Sequence, residues 1–150
     1  IVGVLRMDGE EGGERAPQPG LQDLPALIEQ MREAGLRVQL WVEGERRPLP
    51  PGVDLAAYRL IQEALTNTLR HAGPAARAWV TVRQEPGELT VRVEDDGLGA
   101  AAQLRRPPDR RPGHGLVGIR ERVALYGGVL RIGPRQGGGF EVWARFPLKD

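Results

Sequence analysis

Cysteine and serine are both absent from this chain of 150 residues. The absence of cysteine excludes disulfides and cysteine-ligated zinc, and the two absences together exclude a serine or cysteine nucleophile. The only histidines are His71 and His114, so a metal site built from several histidines is not expected. Lys149 is the only lysine, and the formal net charge of +1 predicts no strong attraction to nucleic acid or to a membrane surface.

Long apolar runs are also missing. None approaches the ~20 residues that cross a bilayer, and no signal peptide opens the chain. The sequence therefore predicts a cytoplasmic domain without direct membrane contact. Residues 1–7 read as the end of a helix, and the glycine-, proline- and charge-rich residues 8–20 predict a flexible linker. The length suits one domain, which we expect at 21–150.

The hydrophobic pattern predicts three helices and five strands. Asp23 and Asp54 are expected to cap the first two helices. Because the strands cluster in hairpins, we expect a mixed, largely antiparallel sheet with the helices on one face, an α/β (α+β) two-layer sandwich. In chain order the predicted elements are helix 23–34, strand 36–43, helix 55–72, strands 78–84 and 88–95, helix 116–126, and strands 129–133 and 139–146.

The long second helix carries a row of polar side chains. Glu63, Asn67 and His71 stand at i, i+4 and i+8, so they share one face. The Asn67 side chain offers a neutral oxygen for Mg²⁺, which takes few protein ligands and keeps waters and phosphates. His71 could donate a hydrogen bond to a phosphate oxygen. The alternative is an ordinary solvated helix face.

An acidic pair followed by glycines stands at the end of a predicted strand, in the string Asp95-Asp96-Gly97-Leu98-Gly99. A carboxylate there can accept a hydrogen bond from an adenine amino group, and the glycines allow backbone to approach a flat base closely. The alternative is a plain turn at the end of a strand, since Asp-Gly is a common turn signal.

Two more glycine-rich segments follow. Residues 113–118 run into a helix, whose free amides and dipole could bind phosphate. They also match G-x-G-x-x-G, but no strand precedes them and no βαβ unit surrounds them, so a Rossmann site is rejected. No P-loop motif is present. Residues 137–140 are expected to form a hairpin turn.

Together the four segments resemble the Bergerat-fold ATPases, which include histidine kinases, gyrase B, heat-shock chaperones and mismatch-repair ATPases. The long helix resembles the N-box of that family, 95–99 its D-x-G-x-G box, 113–118 its second glycine box and 137–140 its last glycine element. The resemblance covers about residues 21–148. The strings EALTNTLRHA, GLVGIRERV and GGGFEVWARFPL are similar to those of sensor kinases in the nitrate-sensing and membrane-fluidity-sensing subfamily.

On the base side, the resemblance implies that Asp95 accepts a hydrogen bond from the adenine amino group of ATP. Gly97 and Gly99 would let the base approach, and residues 100–112 would form a lid over the nucleotide. The lid hinge and phosphate cradle would be formed by Gly113, His114, Gly115, Leu116 and Gly118.

On the phosphate side, the resemblance implies that Asn67 ligates a Mg²⁺ ion bridging the phosphates. His71 would contact phosphate, and Arg70 is a further candidate for that contact. Gyrase-type relatives use a glutamate at the position of Glu63 to activate water. In this subfamily we expect Glu63 to help organise the metal instead.

The resemblance further implies a protein-histidine kinase that transfers the γ-phosphoryl group of ATP to a histidine for relay to a response regulator. The acceptor histidine would belong to a dimerisation domain of the same kinase, and residues 1–7 would be the C-terminal stub of a helix of that domain. The domain alone is expected to be a monomer and the cytoplasmic part of a membrane-anchored sensor. Two alternatives remain: a self-sufficient ATPase or anti-sigma-type Ser/Thr switch kinase, and a degenerate nucleotide-binding or docking module.

Overall fold

The computed structural model describes residues 18–71, 76–97 and 113–148, with the backbone alone for 113–117. The predicted order of helices and strands is confirmed. The predicted helix stub, most of the predicted linker, Gly99 and the predicted lid lie outside the described residues. The elements are α1 (Leu24–Glu33), β1 (Arg37–Gly44), α2 (Pro51–His71), β2 (Arg77–Glu85), β3 (Glu88–Asp95), α3 (Gly113–Leu125), β4 (Val129–Pro134) and β5 (Phe140–Pro147), with a 3-10 turn at Leu21–Asp23.

Within the described ranges, the five strands form one sheet in the order β1-β2-β3-β5-β4. β1 pairs with β2 in parallel, whereas β2 with β3, β3 with β5, and β4 with β5 are antiparallel. The last strand therefore lies between β3 and β4. The prediction of a mixed, largely antiparallel sheet is confirmed.

The three helices of the described residues pack on one face of this sheet. Alternate strand residues such as Val80, Val91 and Ala144 are fully buried, as strand geometry requires when one face is covered. They join one hydrophobic core with Leu27 of α1, Leu60 of α2 and further helix residues. The two-layer sandwich is thus confirmed. No helix within the three described ranges is long and apolar enough to cross a membrane.

The second helix starts earlier than predicted. It begins at Pro51, because a proline has no amide hydrogen to lose in the first turn and its fixed φ suits a helix start. The Asp54 amide already donates to the Pro50 carbonyl at 3.0 Å. The capping role predicted for Asp54 is therefore wrong. Its carboxylate instead accepts from the Leu21 amide at 2.8 Å and so ties the 3-10 turn to α2.

The predicted cap at Asp23 is also wrong. Asp23 immediately precedes α1, but its side chain makes no capping bond to that helix. The carboxylate turns back and accepts from the Gly20 amide at 2.9 Å, which closes the 3-10 turn. In β1, Val42 alternates with the same face as the buried Val38 but is 48% exposed. Val42 lines an open cavity together with Leu24 and Leu40.

The third helix begins at Gly113, three residues before the predicted start. Glycine is a poor helix former in a helix interior, but the first-turn amides have no intrahelical partner in any case. The predicted stop is confirmed. Gly127 has a φ of +75°, and the Gly128 amide donates to the Val123 carbonyl at 2.9 Å, as in a Schellman motif.

Candidate functional site

Asp95 is the last residue of β3 and the centre of the candidate site. It is a charged residue on the core face, only 5% exposed, because Leu89, Val91 and Val93 set the alternation that turns position 95 inward. A buried carboxylate must be hydrogen-bonded to be tolerated. Its partners therefore define what the site can do.

Two donors hold the Asp95 carboxylate. The Thr68 hydroxyl of α2 lies 3.0 Å from Oδ2, and the Gly97 amide donates to Oδ1 at 3.0 Å. An ionised carboxylate is an acceptor only, with about four lone-pair positions. Two of them remain after these bonds. The group is thus suited to accept further hydrogen bonds from an amino group and unsuited to face a carbonyl.

The neighbouring Asp96 points to the other face of the sheet and has a different role. The Arg77 amide donates to its Oδ1 at 2.7 Å, and this bond holds the pKa of Asp96 below its usual value. The Arg77 guanidinium adds to the effect, with Nε 3.3 Å from Oδ2. The Asp96 amide in turn donates to the Arg77 carbonyl at 3.1 Å. Asp96 therefore fastens the end of β3 to the start of β2.

The glycine-rich turn between β4 and β5 packs against the same strand end. The turn prediction is confirmed: the Gly138 amide donates to the Arg135 carbonyl at 3.1 Å. Gly139 has a φ of +98°, and a Cβ there would overlap the Asp95 carbonyl oxygen and lie 3.0 Å from the Asp96 Cα. Only glycine permits this approach of two backbones. The turn thus supports the backbone on which the Asp95 side chain stands.

Arg135 strengthens that support. Its guanidinium donates to the Asp95 carbonyl at 3.2 Å and lies 3.6 Å from a Glu94 carboxylate oxygen. It also stacks 5.0 Å from the centre of the Trp79 ring on the helix-free face of the sheet. A guanidinium can make such a stack and these polar contacts at the same time. β2, β3 and the β4–β5 turn are therefore joined at one end of the sheet.

The polar row on α2 is present as predicted, since helix residues 63, 67 and 71 share a face. Glu63, Asn67 and His71 are all partly buried, whereas Arg70 is exposed. Asn67 Oδ1 is buried and has no hydrogen-bond partner among the described residues. Leaving such an oxygen unpaired is unfavourable by about 1–3 kcal/mol. A ligand atom that binds oxygen would remove that cost.

A magnesium ion fits this oxygen. Mg²⁺ prefers neutral or anionic oxygen ligands, takes one or two from the protein and keeps waters and phosphates for the rest. Within the described ranges no group of three or more His, Cys, Asp or Glu side chains could hold a metal. A site that consists of Asn67, with Glu63 one turn away, therefore suits a metal that arrives with phosphates.

The second glycine segment lies in the first turn of α3. Gly113, His114, Gly115 and Leu116 are helical in backbone, and α3 packs against α2. Gly118 is exposed, and a Cβ there would meet nothing within 4 Å in the described structure. The helix start is on the same side of the sheet as the polar row of α2, because both helices cover the same core.

A cavity of about 410 Å³ lies elsewhere, at the opposite end of the sheet. Its walls include Leu24, Leu40 and Gln84, and Gln84 is seven residues along β2 from Arg77. Strand residues rise by about 3.3 Å each. This cavity is therefore separate from the Asp95 site.

Sequence reasoning missed Thr68 and Arg135. For Thr68 a signal exists: the apolar positions 57, 61, 64 and 65 place position 68 on the buried face of α2. A buried hydroxyl requires a partner, so a polar contact could have been expected there. Nothing local identifies its partner, and nothing local identifies the contact of Arg135 with β3.

The sequence of the chain matches a known family and several known proteins. Residues 52–150 match the family described as "Histidine kinase-, DNA gyrase B-, and HSP90-like ATPase". The sensor histidine kinase YxjM of Bacillus subtilis is 34% identical over 138 residues, which cover 91% of this chain and 32% of the relative. The nitrate/nitrite sensor protein NarX of Escherichia coli K12 is 29% identical over 133 residues, which cover 86% of this chain and 21% of the relative.

Among solved structures, the histidine kinase domain of a blue-light activated histidine kinase from Erythrobacter litoralis EL346 superimposes with a TM-score of 0.59. It is 27% identical, and the match covers 85% of this chain and 58% of that chain. The chain thus spans about a third or less of the length of the two curated relatives named above.

Proposed function

Because the chain belongs to the family of histidine kinase-, DNA gyrase B- and HSP90-like ATPases, we propose that it is the ATP-binding catalytic domain of a sensor histidine kinase. The resemblance that the sequence motifs indicated is confirmed at the level of that family. The observation that carries the proposal further is the Asp95 carboxylate, buried at the end of β3 and held by two donors.

Asp95 selects adenine in this proposal. Its remaining lone pairs accept from the amino group of the base, and Gly97 and Gly99 leave room for the base to approach. Losing one hydrogen bond to a charged group costs about 1.5–3 kcal/mol, which is about ten- to a hundredfold in affinity. The donors Thr68 and Gly97 support this role because each bonds one carboxylate oxygen and leaves its other lone pair to accept from a ligand.

The phosphates lie between α2 and the start of α3. Asn67 Oδ1 ligates Mg²⁺, which neutralises phosphate charge when bound, and Glu63 helps to orient the ligands of the metal. His71, with Arg70 as a further candidate, donates to phosphate oxygens. The amides of the first turn of α3, at Gly113, His114, Gly115 and Leu116, bind phosphate through the positive end of the helix dipole. Gly118 belongs to the same phosphate-binding segment of α3.

The reaction is in-line transfer of the γ-phosphoryl group to a histidine nitrogen. This domain supplies positioning and charge neutralisation rather than a covalent intermediate. The acceptor histidine belongs to the dimerisation domain of the same kinase, and a response regulator receives the phosphoryl group from it. His71 is not the acceptor in this scheme, because it stands in the row that faces the phosphates.

Calorimetric titration with a non-hydrolysable ATP analogue tests the proposal. We expect binding in the micromolar range that strengthens when Mg²⁺ is added. Asp95→Asn should weaken it at least tenfold with or without Mg²⁺, because the amide presents a donor where the adenine amino group needs an acceptor. Asn67→Ala should reduce the gain from Mg²⁺ and leave metal-free binding nearly unchanged.

The two variants thus separate the base site from the metal site. Thermal melting of each variant checks that it is folded. An unaltered affinity in Asp95→Asn would contradict the assignment of the base site. No binding by the folded wild-type chain would contradict the proposed function and favour a docking module.

A further inference from the structure

Thr68 lies where the helix that carries Asn67 meets the end of β3. It is 6% exposed, and its hydroxyl oxygen is 3.0 Å from Asp95 Oδ2 and 3.0 Å from the Ala64 carbonyl oxygen. Both neighbours are acceptors, but a hydroxyl has a single proton. The proton therefore has two possible destinations.

The carboxylate is the stronger of the two acceptors. Hydrogen bonds to ionised groups are shorter and about twice as strong as those between neutral groups. The Ala64 carbonyl is in the interior of α2 and accepts a backbone bond as part of the helix. The Asp95 carboxylate receives no such helical backbone bond. A hydrogen bond from the Thr68 hydroxyl therefore stabilises the carboxylate more than it stabilises the Ala64 carbonyl.

Thr68 and the Gly97 amide together fix the carboxylate plane. One donor holds Oδ2 and the other holds Oδ1, each at 3.0 Å. Two anchored oxygens leave no free rotation about the Cβ–Cγ bond, so the unused lone pairs keep one direction. Without the hydroxyl, Oδ2 would be buried beside a methyl group, and the carboxylate would turn to find another donor.

We propose that Thr68 is a positioning residue that sets the direction of the Asp95 acceptor and thereby the preference for a purine with a 6-amino group. The inference rests on the proposed nucleotide site and adds a specificity determinant to it. Thr68 touches the base only through Asp95. Its removal should therefore affect a ligand that has the amino group and spare one that lacks it.

The chain contains a matched control two residues away. The Thr66 hydroxyl donates at 2.8 Å to the carbonyl of Gln62, which lies four residues earlier in α2. Thr68 can make the same type of bond to the Ala64 carbonyl. Among the described contacts, the Thr66 hydroxyl has no carboxylate as a second partner. Thr66→Val therefore removes a hydroxyl bond to a helix carbonyl and leaves the hydrogen bonds of the Asp95 carboxylate in place.

The experiment measures the affinity of the 150-residue chain for two probes by calorimetry. One is a non-hydrolysable ATP analogue, and the other is purine riboside triphosphate, which lacks the 6-amino group. The quantity compared is the ratio of the two affinities. Thr68→Val should lower this ratio about tenfold, whereas Thr68→Ser, which keeps the hydroxyl, and Thr66→Val should keep the wild-type ratio. Thr68→Ala serves as a second hydroxyl-free variant if Thr68→Val does not fold.

Each outcome has one meaning. An unchanged ratio in folded Thr68→Val or Thr68→Ala would overturn the inference, and so would equal weakening of both probes, which indicates a purely structural role. A wild-type chain that binds both probes equally would instead overturn the adenine site at Asp95, before any Thr68 variant is considered.

Discussion

Replacing Gly139 with alanine should displace the end of β3 and so weaken nucleotide binding from a distance. The new Cβ would overlap the Asp95 carbonyl oxygen and lie 2.7 Å from the Asp95 carbonyl carbon. Both are backbone atoms, which cannot move aside as a flexible side chain can. The turn and the strand end must therefore separate by more than an ångström, and the Arg135 bond to the same carbonyl at 3.2 Å would be strained with them.

Two terms set the size of the effect. The φ of +98° at Gly139 is unfavourable for any residue with a Cβ, by about 1–2 kcal/mol. The overlap adds an overpacking cost of about 1–3 kcal/mol. We therefore expect Gly139→Ala to lower the free energy of unfolding by about 2–5 kcal/mol, the sum of the two terms. Gly87→Ala is the matched control: its φ is +86°, its Cβ would meet nothing within 4 Å, and it stands at the other end of β3.

The assay combines urea unfolding with titration of an ATP analogue. Gly87→Ala should lose only the conformational cost of about 1–2 kcal/mol and keep wild-type affinity. Gly139→Ala should lose more stability and bind more weakly, because the Asp95 carboxylate moves with its backbone. Equal stability losses in the two variants, or wild-type affinity in Gly139→Ala, would refute the idea that the turn supports the binding strand.

Two further predictions follow from the same site. Asp96→Asn should lower stability at neutral pH by about 0.5–1 kcal/mol. The difference in stability from wild type should be complete above the ordinary pKa of 3.8 and should vanish as the pH falls through the lowered pKa of the folded state. The reason is that protonated Asp96 also loses its ion pair with Arg77. Urea unfolding midpoints between pH 2 and 7 measure this difference, and a difference that stays constant with pH would contradict the prediction. The chain incubated alone with γ-labelled ATP should acquire no label, since the proposed acceptor lies on another domain, and label on threonine would favour a Ser/Thr switch kinase.

Much of the fold was predictable because it follows from local patterns. Strand alternation and helical periodicity depend on neighbouring residues only. Short stretches of sequence therefore suffice to predict the order of the elements and the inward direction of Asp95. The same holds for Gly127, where the need for positive φ marks the end of α3. The motif at 95–99 could be interpreted before any contact was known.

The rest depends on contacts between distant segments. Thr68 and Asp95 are 27 residues apart, and Arg135 and Asp95 are 40 apart. Their contacts exist because β5 inserts beside β3 and α2 crosses the sheet, which no single stretch of sequence specifies. The wrong caps at Asp23 and Asp54 have the same cause. Both carboxylates satisfy amides in or before the 3-10 turn, which the local pattern did not reveal.

A crystal structure of the chain with a non-hydrolysable ATP analogue and Mg²⁺ would test the central claim most directly. We predict the adenine amino group within hydrogen-bond distance of the Asp95 carboxylate and Mg²⁺ bound to Asn67 Oδ1, with the phosphates beside the first turn of α3. A nucleotide seated at the opposite end of the sheet, in the cavity lined by Leu24, Leu40 and Gln84, or bound without contact to Asp95, would contradict the account.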